Sequence, residues 1–268
     1  MNRALFRAMF KQYRKKVAAI STGILLYEGL LTWVYPVIAK NPAVIEIAES
    51  IPSTVKTVFG VSENARTDTF EAFISGQFLA RIWVMIMALY GIEAANELLA
   101  KMVDDGSLAF LLSTPVPRGE VLSTQTGVMI STNIILVAVT IIGLYLGTYF
   151  SGIEINHWRY LRLGLLGVAF FSFVEVYSLF FSALFVEKER ALTYASGLTL
   201  AFYGLDIAGG LSDKLSWMKR FSIFQWFQPQ EVLEGTTDPA WPITGLSITS
   251  VVLWYLTKKV FETKDLAI

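Results

Sequence analysis

Residues 121–153 contain no charged side chain, and the same holds for 191–205 and 239–257. A helix in a soluble domain keeps a wet face with a charge every turn or two. Crossing a bilayer instead takes about 20 mostly apolar residues in a row. The runs therefore predict membrane-spanning helices, and six are read along the chain: 17–38, 73–95, 127–150, 163–186, 191–211 and 242–261. Arg81 interrupts the second, and the last shades into Lys258 and Lys259. The expected fold is an all-α polytopic membrane protein, a single transmembrane domain over 1–268.

Composition narrows the chemistry. The 268 residues are 54% hydrophobic and 16% charged, where a soluble domain carries roughly 25% charged. Mean hydropathy is +0.53. Lys and Arg number 22, as do Asp and Glu. A nucleic-acid partner is not expected without a basic surplus. With no Cys and one His, a disulfide scaffold, a thiolate site or a His-based metal centre is excluded.

Orientation follows from the positive-inside bias. Arg3, Arg7, Lys11, Arg14, Lys15 and Lys16 precede the first span. With this lead and both termini in the cytoplasm, Lys101, Arg118, Lys188, Arg190, Lys258, Lys259 and Lys264 also fall inside, the larger share of the basic residues. The first apolar run is long enough to span and is expected to stay as a signal anchor. Within residues 1–16, Leu5, Phe6, Met9, Phe10 and Tyr13 share a helical stripe, with basic residues on another. That pattern predicts an amphipathic helix on the inner leaflet, facing anionic lipid. It serves either as a topology anchor or as an elbow that also touches a cytoplasmic partner.

The outer loop after the fifth span gathers Trp217, Phe221, Phe224, Trp226 and Phe227 around Lys219 and Arg220. A short helix or re-entrant element ending near Pro229 is expected there, as an interfacial aromatic belt or a substrate gate. Asp206 is expected to meet water near the outer end of span five, and His157 to be solvated.

Between the second and third spans runs Glu93-Ala-Ala-Asn-Glu97, then Asp104-Asp105-Gly-Ser-Leu-Ala-Phe-Leu-Leu-Ser-Thr-Pro-Val-Pro-Arg118. Asp105 or Ser107 can cap a short helix, Leu108, Leu111 and Leu112 form its apolar stripe, and Pro115 and Pro117 stop it. A short helix of this kind facing the cytosol either docks on a partner or completes a loop.

This stretch resembles the signature of ABC-2 type permeases, the membrane subunits of one class of ABC exporters. Gly106, Leu108, Leu111, Leu112, Pro115 and Arg118 match the pattern as they stand. Ser107, Ala109 and the lack of a basic residue around Gln125 depart from it. Phe224–Pro229 and Phe261–Leu266 are weaker echoes of the segments before and after the last family helix. The resemblance implies six transmembrane helices in the cell membrane, a second permease copy or paralogue, and a cytosolic ABC ATPase subunit holding ATP and Mg. It implies that residues 106–118 are the ATPase-coupling segment. No nucleotide-binding motif of the Gly-x-x-x-x-Gly-Lys type occurs, so this chain is not expected to be an enzyme or to hold a cofactor itself.

Glu28, Arg81 and Glu175 fall inside spans, where an ionisable group costs a few kcal/mol. At 1.5 Å per residue, Glu28 lies roughly 16 Å from the inner start of its span and Arg81 roughly 12 Å from the outer start of its own. In a core of about 30 Å these depths match, so an ion pair between Glu28 and Arg81 is expected. The three either form structural contacts or line a transport path. A secondary transporter is the alternative function, though no inverted repeat is visible. An integral membrane enzyme is less favoured, because Asp104 and Asp105 sit in a loop and Asp206 stands alone.

Overall fold

The computed structural model describes residues 2–39, 69–113, 116–185 and 187–264. Helix α1 spans Arg3–Ala39 without a break. Its buried residues Met9, Tyr13, Val17, Ile24, Glu28 and Thr32 recur at intervals of four and seven, one stripe running the whole length. The helix is unbroken at residues 16 and 17, where the amphipathic lead and the span are expected to join. The stripe continues across this junction, and no Gly or Pro interrupts the helix before Gly23. Arg3, Arg7, Lys11, Arg14 and Lys15 stay exposed.

Helix α2 covers Phe70–Asp104. Thr69 caps its start, its hydroxyl accepting the Ala72 N–H at 3.2 Å. Two stretches, Ser75–Trp83 and Asn96–Ala100, have π-type hydrogen bonding around an α-helical middle, Val84–Ala95. Then come α3 (Ser107–Leu112), α4 (Arg118–Phe150), α5 (His157–Leu184) and α6 (Lys188–Leu211). Two 3-10 turns, Asp213–Phe221 and Ile223–Trp226, lead to α7 (Pro229–Glu234) and α8 (Ala240–Thr263). The long helices outrun the apolar runs that mark them. Hydrogen bonding continues past the apolar edge until a cap or proline stops it, as at Asn156, which accepts from Trp158 and Arg159 at the start of α5.

Among the described residues five helices, α1, α2, α4, α5 and α8, are long and apolar enough to cross a membrane. Helix α6 has 24 residues, but its Thr, Ser, Gly and Asp206 content leaves it short of that composition. Helix α5 is the hub: it packs against α2, α4, α6, α7 and α8.

One end of the bundle collects many helix ends. The Asn2 N–H donates to Thr124 of α4 at 2.9 Å, the Asn96 side chain to the Lys188 carbonyl opening α6 at 2.9 Å, and Gln125 of α4 to the Leu98 carbonyl in the second π stretch. At the opposite end the aromatic loop turns inward. Phe224 and Phe227 are buried, with Phe227 4.8 Å from Phe170 and Phe224 5.3 Å from Tyr203 between ring centres. The second 3-10 turn ends at Trp226, near Pro229 as expected, and Pro229 then opens α7. Its fixed φ and missing N–H suit a first helical turn. Trp217 and Phe221 remain exposed, as belt residues would be.

Candidate functional site at the α3 end

Gly106 makes the turn from α2 into α3. Its φ of +74° lies in the left-handed region, which glycine enters without a Cβ penalty. Asp105 accepts the Ser107 N–H at 3.0 Å, capping the helix start. The hydrogen bonds from Ser107 hold the Asp105 carboxyl below the usual carboxylate range.

The apolar stripe of α3 divides between two surroundings. Leu108 is buried in the protein's own core, and Leu111 is half-buried against it. Phe110, absent from the stripe read in sequence, is 83% exposed. The side chain of Leu112 and the whole of Pro115 lie outside the described residues. What a visiting surface would meet is Phe110, flanked by exposed Lys101, Asp104, Asp105 and Ser107.

The acidic stretch preceding α3 is tied to α1. Lys16 Nζ lies 2.8 Å from Glu93 and 3.5 Å from Glu97, and the Tyr13 hydroxyl donates to Glu97 at 3.0 Å. Gln125 also reaches the Met102 sulfur at 3.6 Å. Beyond α3, Arg118 opens α4 and donates to the Lys264 carbonyl at 2.8 Å.

The three ionisable residues inside the bundle are held apart. Glu28 is buried with both carboxyl oxygens lacking a hydrogen-bond partner, and it faces Gly143 of α4. Glu175 is buried against Gly91 of α2. Arg81 is half-buried in the first π stretch, within electrostatic reach of Tyr203. Both Glu28 carboxyl oxygens lack a hydrogen-bond partner while Arg81 has interactions of its own, so among the described residues no contact joins the two. Depth alone does not make a pair. Arg81 lies in a π stretch, where each residue rotates less about the axis than in an α-helix, and the α1 stripe aims Glu28 at α4.

Sequence reading also passed over the glycines that bring α1 and α4 together. Gly143 meets Glu28 and Leu25, and Gly147 meets Thr32. Their spacing, Gly-x-x-x-Gly inside an apolar run, is the signal that marks such a contact.

The family described as ABC-2 family transporter protein matches residues 28–266. No individual curated protein matches.

Proposed function

Because this chain belongs to the ABC-2 family of transporter proteins, a multi-pass membrane transport subunit, we propose that it is the permease of an ATP-driven exporter. It works with a second permease copy or paralogue and with a cytosolic ABC ATPase, which supplies the ATP and Mg chemistry. Helix α3 is the coupling helix, and ATP-driven closure of the ATPase drives alternating access through it. The observation that carries this reading is Phe110. A large aromatic ring exposed on a six-residue helix, at the end where α2, α4 and α6 are bound together, fits an anchor for a partner's pocket.

Six crossings, with both termini in the cytoplasm, agree with the chain path. Helices α5 and α8 both finish at the α3 end, since Lys264 just after α8 bonds the last carbonyls of α5. In this reading the chain returns to the far end between them through α6, the long helix in that interval. At 24 residues it measures about 36 Å, enough for the hydrocarbon. Arg3, Arg7, Lys101, Arg118, Lys188 and Lys264 all belong to the α3 end, the arrangement expected of a cytoplasmic face in the cell membrane.

The test is copurification from membranes with an ABC ATPase, followed by ATP-dependent transport in vesicles. An ATPase that binds the intact chain supports the reading. Transport on an ion gradient without ATP overturns it and favours the secondary transporter, for which buried Glu28 and Glu175 would be the ion-carrying groups.

A further inference from the structure

Three helix ends meet at two residues. Arg118, first in α4, donates from Nη1 to the Lys264 carbonyl at 2.8 Å. Lys264, first after α8, donates from Nζ to the Ala183 carbonyl at 3.1 Å and to that of Leu184, at the close of α5. The last carbonyls of a helix have no intrahelical donor, and a cation there also meets the negative end of the helix dipole. The Lys264 side chain thus satisfies what α5 leaves open, while its backbone satisfies Arg118.

The contact is continuous with a longer seam. Helices α4 and α8 run antiparallel here. Gly119 faces Glu262, with Lys258 Cε 3.0 Å from where a Cβ would stand. About two turns further along, Trp254 Nε1 donates to Thr126 Oγ1 at 3.0 Å. Lys264 closes the α3 end of this seam and adds α5 to it. Both α4 and α5 lie next to loops at that end: α4 follows α3, and α5 leads to the turn before α6.

We propose that Lys264 is a positioning residue for energy coupling, clasping the start of α4 to the ends of α5 and α8 so that a push on α3 reaches all three helices together. This rests on α3 being the ATPase-coupling helix. Without the clasp, displacement of α3 reaches α5 only through the packed faces of α4 and α5 further along the bundle, and less of it arrives. The role belongs to the cationic donors of the side chain, so arginine should replace lysine and methionine should not.

The experiment uses the assembled permease–ATPase complex in lipid nanodiscs, with ATP as the probe. Hydrolysis is measured for the native chain, Lys264→Met and Lys264→Arg. Lys264→Met keeps much of the aliphatic stem and should assemble normally with KM for ATP unchanged. Its permease-dependent kcat should fall about tenfold, the loss expected when a charge-assisted hydrogen bond of about 1.4 kcal/mol stops working in the rate-limiting step. Lys264→Arg should restore most of the rate. If Lys264→Met does not accumulate, Arg118→Gln cuts the other side of the clasp and should show the same lowered kcat at constant KM. A folded Lys264→Met complex at native kcat, or in its place an Arg118→Gln complex at native kcat, overturns the inference. A native chain that binds no ATPase defeats the coupling reading itself, a result visible before any variant is made.

Discussion

Glu28 of α1 lies against Gly143 of α4, and the missing side chain of Gly143 is the space the carboxyl fills. A Cβ at Gly143 would overlap Glu28 and stand 2.6 Å from Leu25 Cδ2. Gly147 opposite Thr32 and Ser151, whose hydroxyl donates to the Thr32 carbonyl at 3.3 Å, continue the same contact.

Gly143→Ala should therefore push α1 off α4. Overpacking costs about 1–3 kcal/mol, read as a lower midpoint of thermal unfolding in detergent. Adding Glu28→Ala should recover the part of the loss that comes from the carboxyl, while the Leu25 overlap stays. Failure of the pair to recover would mean that the carboxyl is not what Gly143 accommodates.

Phe110→Ala should leave the protein folded, since the ring is 83% exposed, and weaken ATPase binding by about tenfold or more, as for an anchor residue. Leu108→Asp should instead abolish accumulation, because Leu108 belongs to the core. Binding assays on the purified complex distinguish them. Full affinity in Phe110→Ala would remove α3 as the docking element.

The cap of α3 carries a pH signature. The folded Asp105 carboxyl titrates below its ordinary range because Ser107 donates to it. Its contribution is therefore present above the unfolded value, about pH 4, and disappears as pH falls through the lower folded value. Hydrogen exchange of the α3 amides, corrected for intrinsic rate, should be flat from pH 8 down to about 5 and accelerate only under stronger acid. Asp105→Ala should exchange fast throughout; an equally slow Asp105→Ala would show that the cap does not hold α3.

Whether α6 crosses the membrane can be read chemically, because the chain has no Cys of its own. Lys188→Cys is at the first residue of this helix and Lys214→Cys lies just beyond its end. On intact cells an impermeant maleimide should label Lys214→Cys and spare Lys188→Cys until the membrane is opened. Labelling of both from one side would reduce the crossings to five.

The parts legible in sequence were those set by local pattern. The charge-free run of α4 and the short helix that starts beyond Asp105 both follow from neighbours along the chain. The α1 stripe was visible too, in Met9, Tyr13 and Val17, and the backbone runs unbroken from the lead into the span. Matching depths suggested Glu28 with Arg81, whereas partnership depends on which way each helix face points, and π turns leave no mark in composition. The stripe of α3 was read as facing outward. Leu108 instead completes the core, leaving Phe110 outside. Lys264 was recognisable as part of a familiar ending, yet its contact with Ala183 and Leu184 depends on how α5 and α8 pack.

The unbroken course of α1 has a mechanical consequence. Its 37 residues make a rod about 55 Å long, and Pro36 comes only after the Thr32–Ser151 contact. Its Asn2 end is bonded to Thr124 and its far end to Ser151. One unbroken element therefore ties both ends of α4 to a common frame, independently of α3.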